Sequence, residues 1–419
     1  MKVSRVALAA ATMLGGSAIF ATPALAQQPQ QPAAAQGQAQ PPQRQLSISR
    51  AESAALAPLE AAIRAQDWAA AQAALPAAQA AAQGADARYF VARATWQIGN
   101  QTNNAQVEAQ ALAQLVDMPS TPANELAVFL NRQAELAFNR QDFAGAERAF
   151  VRLLELRPND PAIQQNLSVV RSRAGNTAGA LEPILQQIRT SEAAGQRAPE
   201  DLYRRAFELP YRAGQRPQAA EALGALLRAY PNARNWRGGV DFLREGVNDN
   251  QLLLDVYRLA HRANVIQPQE YVALAQMLDQ AGLPGETKAV LDAGIAAGAL
   301  QSSEGEVARL LGIANRRTAE DRSGLSAQIA QARRASTGRE ARVVADALYG
   351  YERYAEAAEL YRLALTKGGE DPNLINTRLG ASLALAGQQA EAEAALRAVT
   401  GARADLARMW LTWLQRRPA

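Results

Sequence analysis

The sequence predicts an all-α chain, an α-solenoid of stacked helix hairpins that ends in a capping helix. Three observations carry this. From about residue 50, Ala, Leu, Glu, Gln and Arg dominate, apolar residues recur every three or four positions, and β-branched runs are missing. The 419 residues are 48% hydrophobic but only 5% aromatic, so Ala and Leu must supply most of the buried surface. Gly and Pro fall at intervals rather than at random, the mark of an internal repeat.

The first 45 residues stand apart from that pattern. Lys2 and Arg5 precede a short apolar run from Val6 to Phe20, and Pro23 stands ahead of Ala24-Leu25-Ala26, an A-x-A cleavage site before Gln27. The run is shorter than the ~20 residues a membrane span needs. Residues 1–26 therefore read as a cleavable signal peptide. The expected location is the periplasm, with a secreted or outer-membrane-associated chain as the alternative. Residues 27–45 are rich in Gln, Pro and Ala and read as a disordered linker. No later stretch is apolar enough to span a bilayer.

Composition excludes much chemistry. There is no Cys, hence no disulfide, thiolate metal site or Cys nucleophile. The single His, His261, cannot supply the two imidazoles of an HExxH site and is expected to pack. Loss of Lys2 and Arg5 with the signal takes the formal charge from +4 to +2, which leaves no footprint for nucleic acid. There is no G-x-S-x-G, and no Gly-rich phosphate loop, because no strand is expected for one to follow. Glu304/Glu306 and Glu391/Glu393 are spaced i,i+2 and fall on different helix faces. No catalytic residue, cofactor or metal is assigned, and the chain is read as not an enzyme.

The clearest unit runs from Ala127 to Asp160. Its first helix carries Leu130, Ala134 and Ala137, a tight turn follows at Gln141-Asp142-Phe143, and the second helix carries Ala146, Phe150, Leu153 and Leu154 before Pro158 and Pro161 stop it. A unit from Pro161 carries Leu167, Gly175, Ala180 and Ile184, and one from Glu200 carries Gly214, Ala219 and Leu223. Further units start near Arg234 and Pro268, and a weak one near Ser302. A unit from Gly338 has Ala345, Leu348, Ala357 and Tyr361, and one from Asn373 has Gly380, Leu383, Ala392 and Leu396. Glu52–Gln83 (with Trp68, Ala71 and Ala78) and Ala85–Met118 read as degenerate repeats. The domains follow: degenerate repeats over 46–126, well-matched repeats over 127–231, divergent helical repeats over 232–337, well-matched repeats over 338–400, and a capping helix over 401–419. Leu406, Met409, Trp410 and Trp413 form the apolar face of that last helix. The alternative for the two Trp residues is a partner or membrane-surface anchor.

This pattern resembles the tetratricopeptide repeat family, whose ~34-residue units place small residues where the paired helices touch and Pro near the end. Ala134, Ala146, Phe143, Phe150 and Pro158 sit on the family's places. The resemblance implies a right-handed superhelix whose first helices line a concave groove that receives a peptide. Groove-facing places then hold Asn131, Glu135 and Asn139; Arg204, Glu208, Tyr211 and Arg212; and Arg339, Arg342 and Asp346. A two-carboxylate clamp of the chaperone-binding kind would use the places of Asn131, Glu135, Asn166, Asp201 and Arg205, where the two acids would repel a carboxylate. The reading is a non-catalytic scaffold of the cell envelope that binds a peptide segment of an envelope protein. The alternative is a polysaccharide or peptidoglycan strand laid on Tyr211 and Tyr349.

Overall fold

In the computed structural model the described residues are 4–6 (backbone only), 46–158, 160–303 and 305–415. They form two compact units divided between Thr190 and Ser191, inside the range 127–231 that the repeats had marked as one block. The first unit holds α1 (Arg50–Arg64), α2 (Trp68–Ala81), α3 (Ala85–Gln101), α4 (Ala105–Asp117), α5 (Ala123–Asn139), α6 (Phe143–Leu156), α7 (Pro161–Arg173) and most of α8 (Thr177–Ala193). The second holds α9 (Glu200–Arg212), α10 (Arg216–Ala229), α11 (Ala233–Arg244), α12 (Asn250–Arg262), α13 (Pro268–Gln280) and α14 (Pro284–Ala296). It continues through α15 (Gly305–Arg334), α16 (Gly338–Gly350), α17 (Tyr354–Lys367), α18 (Pro372–Leu385), α19 (Gln389–Arg397), a 3-10 turn (Gly401–Arg403) and α20 (Ala404–Leu414).

One local device makes the hairpins. At the end of the first helix a residue enters the left-handed region: Gln66, Asn103, Gln141, Gly175, Gly214, Gly282, Glu352 and Gly387 in eight hairpins. The next residue's N–H donates back over a full turn, as Asp67 to Ala62 O, Asp142 to Ala137 O, Gln215 to Pro210 O and Gln388 to Leu383 O, each 2.9 Å. This is the Schellman closure that stops a helix and satisfies its last carbonyls. Where that next residue is Asp67, Asn104 or Asp142, its side chain also accepts from the new helix's N–H groups and starts it. In six of these eight, five residues after the left-handed one comes Ala71, Ala146, Ala180, Ala219, Ala357 or Ala392, every one fully buried where the helices touch; after Gly282 the place holds Thr287, equally buried, its hydroxyl donating back to Leu283 O at 2.9 Å.

The exceptions explain themselves. In the hairpin of α3 and α4 the same place holds Glu108, and the small residue sits opposite as Gly99, where a Cβ would lie 2.6 Å from the Glu108 nitrogen. The unit expected near Ser302 is not a hairpin. α15 runs unbroken for 30 residues with one buried stripe of Val307, Leu310, Ala314, Leu325 and Ala332. The described residues from Gly305 to Arg334 contain no Pro and no left-handed residue, so nothing stops the helix. Its end is instead closed by Lys367, whose Nζ donates to the carbonyls of Ala332 and Arg333 (3.0 Å each) and of Ala335. α5 starts at Ala123, one turn ahead of the expected Ala127, on Pro122. Two short strands, which the sequence did not lead us to expect, pair antiparallel: β1 (Ser4–Val6) with β2 (Leu46–Ile48). β1 lies within the expected signal peptide; the rest of that segment and residues 27–45 lie outside the described residues. No described helix is long and apolar enough to cross a membrane.

The C-terminal helix does more than cap. α20 packs on α18 and α19 on one side and on α10 and α11 on the other, closing the second unit on itself. Trp410 and Trp413 are both buried, ring edge to ring face, and the Trp413 indole donates to Arg262 O at 3.2 Å. They anchor the chain to itself, not to a partner or membrane surface.

The left-handed turns can be tested singly. Gly214 adopts φ 70° with open space around it, so Gly214→Ala should cost about 1 kcal/mol through backbone strain alone. Gln141 holds φ 63°, and Gln141→Gly should stabilise by about 0.5 kcal/mol. Urea denaturation reads both; equal and opposite signs to these would remove the turn from the account.

Candidate binding surface

In the first unit α5 packs on α4 and alongside α3. Glu125 accepts from the Tyr89 hydroxyl at 2.5 Å and pairs with Arg93 at 3.1 Å. Arg132 grips Glu108 with two bonds, 2.8 and 2.9 Å, and reaches Glu135 at 2.9 Å. Burial pushes the Glu108 carboxyl up, but its bonds from Arg132 and Asn100 outweigh that and hold it below the usual range. Asn131 donates to Glu135 at 3.1 Å. Of the places expected to face a partner here, Asn131 and Glu135 are thus half-buried and engaged, whereas Asn139 is exposed beside the turn. Val128, on the same helix, is 53% exposed.

In the second unit α9 carries four expected residues. Arg204 pairs with Glu200 at 2.7 Å, and Glu208 with Arg212 at 3.2 Å. Tyr211 stacks on Phe207 (centroids 5.4 Å, planes 17° apart) and meets the edge of Phe242 at 5.9 Å. The Tyr211 hydroxyl is bonded to Glu245, which together with partial burial raises its pKa. Its ring is nevertheless 38% exposed, among the few large apolar side chains that are. Arg216 lies over Phe242 at 4.2 Å and pairs with Asp405 at 3.0 Å. A stacked aromatic pair with the exposed Arg212 one residue away presents an apolar platform and a cation to solvent.

The third expected segment, on α16, is closed. Arg339 is exposed, but Arg342 is held between Asp346 (3.0 Å) and Glu370 (2.7 Å). Asp346 and Tyr349 are buried. Helices that a wider arc would keep apart meet here, and their charges meet with them. Asp255 accepts from Arg378 Nε (3.0 Å), Arg403 Nη1 (2.6 Å) and Arg258 Nη1 (3.2 Å). Asp346 accepts from Arg378 Nη1 at 2.9 Å and from the Tyr361 hydroxyl at 2.6 Å. Glu286 takes Arg258 with two bonds, 2.8 and 2.5 Å. Three carboxylates face three guanidinium groups, all buried, and Asp255, Arg258 and Arg378 among them line a void of about 10 Å³, the size of one water. Burial alone would push the Asp255 carboxyl up; Arg378, Arg403 and Arg258 more than reverse it. The cluster is neutral, each of its carboxylates is bonded to at least one guanidinium, and its void holds no more than one water, so it has no room for a substrate. Among the described residues no group of three or more His, Asp or Glu is placed to hold a metal ion.

Sequence reasoning missed this cluster. One signal was there: Thr377-Arg378 interrupts an apolar helix between Ile375 and Leu379, and Asp255 sits between Leu254 and Val256. A charge on a buried stripe needs a partner.

No protein-family model and no curated protein matches this sequence. Among solved structures, the chain is similar to a tetratricopeptide repeat protein from Parabacteroides merdae, at 10% identity over 80% of this chain and 100% of that one, TM-score 0.30. It is also similar to Naa15/Naa10 bound to HypK-THB (15% identity, 88% and 68% covered, TM-score 0.29). A third likeness is to the TPR2AB domain of yeast Sti1 in its Hsp90 complex (16%, 70% and 95%, TM-score 0.23). At these scores the likenesses carry no argument; the stacked-hairpin architecture is read from the hairpins themselves, with their shared turn.

His261, half-buried, meets Tyr271 edge to face at 5.7 Å. Burial, with the neighbouring Arg262 adding to it and Glu352 opposing, pushes its pKa from 6.5 down to about 4. The unfolded chain therefore binds a proton near pH 6.5 that the folded chain refuses until near pH 4. Stability from this source is full above pH 6.5 and falls as pH drops toward 4. In thermal denaturation His261→Phe, which keeps the ring contact, should lose less stability between pH 7 and pH 4.5 than the unsubstituted chain; parallel profiles would rule His261 out.

Proposed function

We propose that this protein is a non-catalytic interaction scaffold that binds a peptide segment of another protein, and that it works in the cell envelope. Stacked helix hairpins are a general protein-binding architecture, with extended surfaces shaped by the stack. The observation that carries the reading is the exposed Tyr211 ring, stacked on the half-buried Phe207 beside Arg212 on α9. Aromatic and Arg side chains dominate binding hot spots because they bring large rigid area and directed donors. The envelope location rests on the signal-like residues 1–26. The polysaccharide reading loses one of its two platforms, because Tyr349 is buried under Arg258 with the ring centroid 4.6 Å away.

A photo-crosslinking residue at position 208, beside Tyr211, should trap one or two envelope proteins in intact cells. The double variant Tyr211→Ala/Arg212→Glu should cut that yield about ten-fold, equivalent to ~1.4 kcal/mol of binding, with helicity unchanged. Recovery of cell-wall glycan alone would replace the scaffold reading with the polysaccharide one. Mass spectrometry of the exported chain should find Gln27 at its N-terminus; a retained Met1 would remove the envelope assignment.

A further inference from the structure

We propose that the 3-10 turn and α20, Gly401–Leu414, form a releasable strap across the second unit, locked by the single buried charge of Arg403. Release would bare a seat on α10 and α11 that takes an amphipathic helix of α20's own chemistry, while the hairpins stay folded.

Arg403 is the strap's own contribution to the buried ionic cluster. It is 4% exposed, with Nη1 2.6 Å from Asp255 and Nη2 3.9 Å from Asp249. Asp255 lies on α12, 148 residues earlier in the chain, so this pair ties the end of the unit to its first half. Beyond the lock, the strap seats on that half through the buried Met409, Trp410 and Trp413, and Trp410 lines the same small void as Asp255 and Arg258. Met409 rests on bare backbone: a Cβ on Gly239 would lie 2.6 Å from its Cε. Trp413 donates to Arg262 O, and Asp405 pairs with the part-exposed Arg216. A hinge is built in at Gly401, with φ 64°.

Each hairpin beneath the strap is closed within its own pair. α16 and α17 close over Ala345 and Ala357, and α18 and α19 over Gly380 and Ala392, within each pair. Neutralising Arg403 leaves Asp255 only Arg258 and Arg378, which it shares with Glu286 and Asp346, so its charge is no longer matched. A buried unpaired carboxylate gains most by reaching water, and the direct way to let water in at Asp255 is to lift the strap. The seat left behind is apolar, floored by glycines at 224 and 239, and ends at the Asp255 carboxylate. It suits a helix with an Arg at its start and large apolar residues one and two turns on. This inference does not depend on the Tyr211 platform.

Hydrogen exchange on the full chain with Arg403→Gln tests it. Amides of α20 should exchange at least ten-fold faster than in the unsubstituted chain, while those of α16 and α17 keep their rates. Acceleration of all three helices together would make Arg403 ordinary core, and no change in α20 would remove the lock. A labelled synthetic peptide of residues 401–415 should then bind the variant at least ten-fold tighter than the unsubstituted chain. Equal binding to both, or binding to neither, would overturn the seat.

Discussion

The rest of the structure depends on how closely two helices approach within each hairpin. Ala71, Ala146, Ala180, Ala219, Ala357 and Ala392 are the points of contact, and none has measurable exposure. A residue much larger than Thr287, which takes the place in α13–α14 with its hydroxyl turned back onto Leu283 O, would wedge the pair open. It would also shift the helix that the next hairpin packs against, since interiors transmit strain rather than absorb it. The left-handed residue five positions earlier sets the register of that contact. Turn and small residue are therefore one device: the turn delivers the second helix, and the missing side chain lets it seat. The α3–α4 hairpin keeps the constraint while exchanging its parts, because Gly99 supplies the clearance that Glu108 takes away.

Close pairing leaves each hairpin with an unburied outer face, and the second unit resolves this by closing. α20 reaches from α18 and α19 to α10 and α11, so the unit has no free end at its last hairpin. Closure has an electrostatic consequence. Side chains that would face water in an open arc are driven together, and their charges can stay only if they sum to zero. Asp255, Glu286 and Asp346 against Arg258, Arg378 and Arg403 meet that condition. Such a cluster adds little net stability over an apolar core of equal volume, because desolvation offsets most of the attraction. Its effect lies in selectivity: Arg378, bonded to Asp255, Asp346 and Gln251 at once, accepts only the arrangement in which all three converge.

This division explains what could be read from the sequence. Hairpins were legible because their signal is local: Ala146 follows Gln141 by five residues, and Ala392 follows Gly387 by the same step. α15 was misread because a repeat count expects a turn where the chain merely lacks a breaker. The groove on α16 was misread for a different reason. Repeat register assigns Arg342 and Asp346 to a face, but what that face meets depends on curvature summed over many hairpins. Asp255 and Arg403 are 148 residues apart, and neither looks unlike any surface charge. Tyr211, by contrast, keeps an exposed face on α9, as its repeat register leads one to expect.

That contrast bears on where a partner would go. A surface recognises a peptide with groups whose bonding is not already spent. On α16 the donors are spent: Arg342 is shared between two carboxylates at 3.0 and 2.7 Å, and only Arg339 remains in solvent. On α9 the one ion pair at the platform, Arg212 with Glu208, joins a side chain 78% exposed to one 39% exposed. A pair so wet contributes little to stability and gives way at little cost. The Tyr211 ring beside it is held flat by Phe207 beneath, so its exposed face needs no ordering before contact. A rigid apolar face next to a cation that exchanges partners cheaply is what α16 lacks, and it is the reason the proposed recognition is drawn at α9.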